Sequence, residues 1–194
     1  MLSSIHPLGE RAKHNRFGLT AALFALGAVA GGAATGAFVG VVGIAVDALV
    51  SAEAAVVATA IVVFGAAVAE WRGIGLPCLH RQVDEDWLTR YRRWVYATGF
   101  GFQLGAGVMT YITSAAVYAA LGAALFVGHP VGAVSIMATF GLTRGLSLAS
   151  ARSITSPERL RTFHQRLHAT APAAQRVAWI SLAVVAVAMP ATLL

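Results

Sequence analysis

The sequence has little charge. Only 11% of its 194 residues are Asp, Glu, Lys or Arg, whereas an ordinary soluble domain carries roughly 25%. In contrast, 58% of the residues are hydrophobic and the mean hydropathy is +0.73. A soluble globule of this size would expose large apolar patches. The composition therefore predicts an integral membrane protein, a single domain over 1–194 with the lipid bilayer as its surroundings.

The sequence also has only one cysteine, Cys78. This excludes an intramolecular dithiol relay and a multi-cysteine metal framework, and its predicted cytoplasmic setting fits a reduced thiol. His164 and His168 have the i, i+4 spacing of a metal-binding pair, but a third ligand is missing. There is no nucleophile motif, P-loop or dinucleotide fingerprint. We therefore expect no enzyme, no catalytic residue, no cofactor and no metal.

The basic residues are confined to patches between apolar runs. None occurs between Phe17 and Trp71, between Trp94 and Thr143, or after Arg176. Polytopic membrane proteins place their cytoplasmic loops in this way. We therefore expect no nucleic acid partner, despite the net charge of +6.

Five apolar runs are long enough for helical spans of about 20 residues. The basic patches precede the first run and separate the second from the third and the fourth from the fifth. Since basic loops stay in the cytoplasm, we predict an all-α bundle of about five spans in the bacterial inner (plasma) membrane, with the N-terminus cytoplasmic and the C-terminus outside. The predicted spans are 17–46, 54–70, 94–127, 131–150 and 177–194, with cytoplasmic loops 71–93 and 151–176.

Two of these runs, 17–46 and 94–127, are longer than one crossing needs. As helices they would measure about 45 and 51 Å, against a hydrocarbon core of roughly 30 Å. Tilt absorbs part of the excess, and the rest requires a kink, a cytoplasmic extension or an unwound segment. In the second run, Asp84-Glu85-Asp86 is placed to begin such an extension.

The same two runs resemble each other. Leu26-Gly27-Ala28 and Leu104-Gly105-Ala106 are 78 residues apart, and Thr35 matches Thr113 at that offset. A duplicated two-helix unit explains the match, and a chance match between small-residue helices is the alternative. Repeats are common in transporter folds.

Glycine recurs in these runs at helical spacing. Small residues allow close approach of helices in lipid, so the glycines predict tight packing within the protein or in a homo-oligomer. A hinge or a discontinuous helix is the alternative. The residues concerned are Gly32, Gly36, Gly40, Gly101, Gly105, Gly141 and Gly145.

Arg144 is the only basic residue well inside an apolar run. Such a residue usually faces the bundle interior or a wet cavity. It either extends to the cytoplasmic headgroups or pairs with Glu70, which ends the second run on the same side. The pair would gate a path or hold an anion.

Polar residues in the third run form a second set. Gln103, Thr110 and Ser114 are spaced to share one helical stripe. The stripe either lines a conduit or bonds to its own backbone and neighbouring helices. The candidate path residues are Gln103, Thr110, Thr113, Arg144 and Glu70.

Ser156, Pro157 and Glu158 are typical of a helix start. The helix predicted over 156–168 is basic and amphipathic, which favours contact with anionic lipid.

Three segments carry a family resemblance: Ile5-His6-Pro7-Leu8-Gly9-Glu10-Arg11, Arg81-Gln82-Val83-Asp84-Glu85-Asp86-Trp87-Leu88, and Gly99-Phe100-Gly101-Phe102-Gln103-Leu104-Gly105. They resemble an uncharacterised bacterial polytopic membrane-protein family, similar to the cytochrome c biogenesis (CcdA/DsbD-type) and LysE-type exporter superfamily. Redox members of that superfamily use paired membrane cysteines and usually six spans, unlike this chain, so no functional residue is carried over.

Two functions remain as the main hypotheses, and a thiol-linked accessory role through Cys78 is a third. The first is a transporter or exporter of a small solute or ion, supported by the repeat, the long Gly-rich runs and Arg144. The second is a non-transporting scaffold or accessory subunit that docks a membrane partner.

Overall fold

The computed structural model describes residues 5–77 and 86–193, and every regular element within these ranges is helical. Cys78 lies outside the described residues. The α-helices are α1 (Pro7–Ala12), α2 (Phe17–Asp47), α3 (Ala52–Arg72), α4 (Trp87–Arg90), α5 (Arg93–Ala106), α6 (Ala116–Phe126), α7 (Pro130–Leu146) and α8 (Pro157–Ala188), with 3-10 turns at Ser147–Ser153 and Pro190–Leu193.

Four of the described helical stretches are long and apolar enough to cross a membrane: Phe17–Asp47, Ala52–Arg72, Pro130–Ser153 and Pro157–Ala188. The prediction of an all-helical protein with membrane-spanning helices is confirmed at this level.

The predicted span 94–127 is not one helix. It consists of α5 and α6, of 14 and 11 residues, or about 21 and 16 Å. Each is shorter than the hydrocarbon core. Residues 107–115 between them are not helical, and Gly107 begins the break with a φ of +78°. Of the three alternatives for this over-long run, the structure therefore has the unwound segment.

Two other boundaries differ from the predictions. The loop 151–176 is largely helix, because α8 begins at Pro157 and continues through Pro172 to Ala188. Hydropathy marks where a chain becomes polar, but Ala, Gln, Arg and Leu favour helix regardless of polarity. The predicted start at Ser156 is confirmed, since its hydroxyl accepts a hydrogen bond from the Arg159 amide. The extension before the third run is interrupted between α4 and α5.

The long helices pack as two units. The first, here called the glycine unit, contains α2, α5 and α7, with α2 parallel to α5 and antiparallel to α7. The second, here called the alanine unit, contains α3, α6 and α8. Among the described helices, α6 makes most of the contacts between the units.

The predicted glycines lie in the glycine unit at helix contacts. A methyl group on Gly105 would overlap the carbonyl oxygen of Ala28, and one on Gly32 would overlap that of Met137. α2 is continuous over its 31 residues, so its glycines make no hinge. The contacts involve Gly32, Gly36 and Gly40 of α2 against α7, Gly101 and Gly105 of α5 against α2, and Gly141 and Gly145 of α7 against α2.

The two halves proposed as a duplication differ in structure. Thr35 lies within the continuous α2, whereas its match Thr113 lies in the unwound segment. The second helices also differ in partners, because α3 packs on α8 and α6 whereas α7 packs mainly on α2. The match between the sequences therefore does not extend to a repeated fold.

Candidate functional site

The unwound segment, residues 107–115, begins opposite the middle of α2. The hydroxyl of Thr35 donates to the carbonyl of Ala106, the last residue of α5, over 3.1 Å. Residue 32 is the midpoint of α2, so this bond lies within one turn of it. Leu125 near the end of α6 instead faces Gly43 near the end of α2. α5 and α6 thus lie along successive parts of α2, with the unwound segment between them.

Side chains alternate along the unwound segment. Met109, Tyr111 and Thr113 are exposed, whereas Thr110 and Ile112 are buried. This period of two is typical of extended backbone. One face of the segment therefore packs against the protein while the other is open.

The backbone amides of this segment are largely unused. Apart from Tyr111, no N–H of residues 108–113 donates to a backbone carbonyl within the described part of the chain. In a bilayer, irregular backbone is tolerated only where it is buried in protein or lines a water-filled cavity. The open face of the segment consequently has hydrogen-bonding capacity available for water or a solute.

Each end of the break is held by a charged side chain. The Nη1 atom of Arg144 donates to the Leu104 carbonyl over 2.9 Å, in the last turn of α5. The Oε2 atom of Glu70 accepts from the Ala115 amide over 2.7 Å, at the start of α6. These charges match the helix dipoles, since the cation faces a C-terminus and the anion an N-terminus.

The predicted pairing of Arg144 with Glu70 is therefore wrong. Both residues are described, and the structure records no ion pair between them. Arg144 is also half-buried, with its guanidinium carbon 5.5 Å from the centroid of the Phe140 ring, rather than extended to the headgroups. The unwound segment exposes backbone groups that bind each side chain locally, and no signal in the sequence reports those groups.

The two ends of the break lie close together. A Cβ atom on Gly107 would be 3.3 Å from the side chains of both Phe140 and Val117. Val117 is the second residue of α6, so the chain returns near its starting point after the unwound segment. Arg144 and Glu70 therefore flank one small region.

The other predicted path residues are dispersed. Thr110 is only 6% exposed, and its hydroxyl has no hydrogen-bond partner. Gln103 is half-buried on α5, and Thr113 is exposed. The predicted stripe of Gln103, Thr110 and Ser114 is wrong, because helical periodicity ends at Ala106.

Sequence reasoning missed two features. The first is Thr35, whose bond to Ala106 caps the break; a hydroxyl amid the apolar residues of α2 was the available signal. The second is the carboxylate of Glu10, which is 1% exposed and accepts from the Thr20 hydroxyl over 2.6 Å and the Tyr96 hydroxyl over 2.8 Å. It fastens α1 to α2 and α5, and a single charge in a basic segment gave no sign of burial.

Comparison with known proteins gives partial similarities. The chain is 30% identical over 126 residues to the methylamine utilization protein MauF of Paracoccus versutus, covering 65% of this chain and 46% of that protein. It is 31% identical over 86 residues to the MauF protein of Paracoccus denitrificans, covering 44% and 31% respectively. The chain thus spans less than half the length of the curated relatives it matches. No protein-family model and no solved structure matches the chain.

Proposed function

We propose that the protein moves a small polar solute or ion across the membrane, with the unwound segment as its binding site. The observation that carries this proposal is a break in the bundle whose ends are held by Arg144 and Glu70, while the amides of residues 108–110, 112 and 113 donate to no backbone carbonyl of the described residues. Secondary transporters bind substrates at discontinuous helices near the bilayer midplane. A purely structural helix would gain stability by continuing through these residues.

The predicted path residues take different roles in this proposal. Arg144 and Glu70 hold the ends of the break, and a solute that enters between the segment and the bundle meets the Thr110 hydroxyl on the buried face. Gln103 lies on α5 before the break, and Thr113 lies on the exposed face of the segment, so both line the approach.

The proposed placement is the inner membrane with the N-terminus in the cytoplasm. α5, the unwound segment and α6 together form the third crossing in chain order, which is interrupted. The exposed Arg159, Arg161 and Arg166 of α8 contact anionic lipid headgroups, because cationic side chains are drawn to that surface.

Entry of solutes into proteoliposomes tests the transport function. Acetamide and methylammonium serve as probes, followed by vesicle swelling and by internal pH respectively. We expect entry above that of protein-free vesicles and about tenfold slower entry with Thr110→Val, since one hydrogen bond to a buried group is lost. Thr143→Val is the matched control, because its exposed hydroxyl bonds only to its own helix. Entry equal to that of protein-free vesicles for both probes contradicts transport.

A second candidate is a non-transporting accessory subunit or scaffold. It is favoured by the relatives, which are named for methylamine utilization, and by the apolar face of α8, where Val184 and Val187 are exposed. Crosslinking in native membranes would separate the two. A stoichiometric membrane partner without solute entry supports the accessory role, and a homo-oligomer with solute entry opposes it.

A further inference from the structure

We infer that the unwound segment selects small solutes that have no net charge and both donate and accept hydrogen bonds, such as simple amides, over ions of either sign. This inference rests on the proposed transport function and names its substrate class.

The charges at the two ends of the break balance each other. The side chains bonded to the two ends of the break, Arg144 and Glu70, have opposite charges. The ends are close together, as the contact of Gly107 with Val117 shows. A cation bound between them would be attracted by Glu70 and repelled by Arg144, and an anion the reverse. Because both energies depend on distance in the same way, the two contributions oppose each other for any net charge.

Both charged side chains already form hydrogen bonds to the backbone of the protein. Arg144 balances the negative end of α5 and Glu70 the positive end of α6, each through a hydrogen bond. An ion that displaced either side chain would leave a helix end unpaired, at a cost in binding energy. A neutral solute leaves both bonds in place.

The unwound segment has both hydrogen-bond donors and hydrogen-bond acceptors available for a solute. An extended backbone offers donors and acceptors in equal number, and the amides of residues 108–110, 112 and 113 have no backbone partner. The Thr110 hydroxyl, buried and unpartnered, can donate and accept. A simple amide has both kinds of group as well, whereas an ammonium ion only donates and a carboxylate only accepts.

Binding to the full chain in phosphatidylcholine nanodiscs tests the inference. Acetamide, methylammonium and acetate are probes of similar size and different charge, and calorimetric titration gives their affinities. We expect acetamide to bind about tenfold more tightly than either ion, because each ion is repelled by one of the two charged side chains and acetamide by neither. Either ion binding as tightly as acetamide, or no binding by any of the three, overturns it.

Charge variants test the balance directly. Arg144→Gln should raise the affinity for methylammonium about tenfold, and Glu70→Gln should do the same for acetate, because one repulsive partner is gone. Arg92→Gln and Glu53→Gln remove the same charges at exposed positions away from the break and should leave the order of affinities unchanged. An unchanged order in the first pair overturns the inference.

Thr110→Val keeps the test decisive if a charge variant fails to fold. Its hydroxyl has no hydrogen-bond partner among the residues that the structure describes, so the change should not destabilise the fold. We expect acetamide affinity to fall about fivefold through the lost hydrogen bond, with weak binding of both ions unchanged. Equal binding of acetamide by this variant and the unchanged protein overturns the inference.

Comparison with the vesicle experiment separates the two proposals. Acetamide binding without entry would end the transport proposal and support the selectivity. Preferential entry of methylammonium would support transport and overturn the proposed substrate class.

Discussion

The glycine unit and the alanine unit are packed by different means. In the glycine unit, backbones touch, and a methyl group on Gly105 or Gly141 would overlap the Ala28 carbonyl. In the alanine unit, side chains such as Val63 and Ala119 make the contact. Gly65 of α3 has no atom within 4 Å of the place where a Cβ would lie. Glycines in the glycine unit thus face backbone atoms, whereas Gly65 of the alanine unit faces open space and Gly122 of α6 faces the side chain of Val62.

This difference indicates where the relative position of neighbouring helices is most constrained. Backbones in direct contact have one register, because any slide drives main-chain atoms into each other. Helices separated by small side chains tolerate more displacement. The unwound segment leads from α5, which packs within the glycine unit, to α6, which packs on helices of both units.

The two side chains that hold the ends of the unwound segment come from different units. Arg144 of α7 belongs to the glycine unit and holds the end of α5, and Glu70 of α3 belongs to the alanine unit and holds the start of α6.

The largest expected change in the free energy of unfolding comes from adding a methyl group to a glycine in each unit. Gly105→Ala should lower the free energy of unfolding by about 3 kcal/mol, because the new atom overlaps backbone that cannot move away. Gly65→Ala should raise it by about 0.5 kcal/mol through helix propensity. Steric-trap or denaturant unfolding in bicelles measures both. Equal effects would show that the two units do not differ in packing.

A smaller effect is expected from removing the cap of α5. Arg144→Met should destabilise the protein by about 2 kcal/mol, because the Leu104 carbonyl loses its charged partner. Glu70→Gln retains an acceptor for the Ala115 amide and should cost less than about 1 kcal/mol. Thermal unfolding in one detergent gives the comparison. The division between units would be in doubt if Glu70→Gln were the more damaging change.

Thr35→Val should cost about 1 kcal/mol, since it removes only the neutral hydrogen bond to Ala106 at the end of the glycine unit. Thr143→Val, which removes a bond within one exposed turn of α7, is the matched control. The same unfolding measurement applies, and equal losses in the two variants would argue that the Thr35 bond does not hold the break.

The sequence predicted the helical class, the apolar runs and the glycine contacts, because each depends on local composition or spacing. It left the break open, because an unwound segment was one of three alternatives for the over-long run. Gly107, with a φ of +78°, ends α5 locally, but the bonds that hold this end come from Thr35 and Arg144, which lie 71 and 40 residues from their partners. Burial of Glu10 likewise depends on Thr20 and Tyr96, which are 10 and 86 residues away in the chain. Partners at such distances cannot be found from periodicity.

The smallest expected change in stability concerns His6, the N-cap of α1, and its electrostatic interaction with His164 of α8. Its Nδ1 atom accepts from the Gly9 amide over 3.1 Å and caps α1, so this nitrogen must be unprotonated. Burial lowers the pKa of His6 from its usual 6.5; Glu10 opposes this, while His164 of the alanine unit and Lys13 lower the pKa further. The unfolded chain therefore takes up the proton first as the pH falls.

Stability from neutral His6 should be complete above pH 6.5 and be lost as the pH falls below this value through the lowered pKa of the folded state. His6→Asn keeps a capping side chain that does not titrate, so thermal midpoints of this variant should lose that part of the pH dependence. His164→Gln should weaken the dependence, because an interaction that lowers the pKa of His6 is removed. If neither change alters the profile between pH 5 and pH 8, a range about the ordinary histidine pKa, then α1 does not couple the glycine unit to α8, and the unwound segment and α6 carry the link between the units.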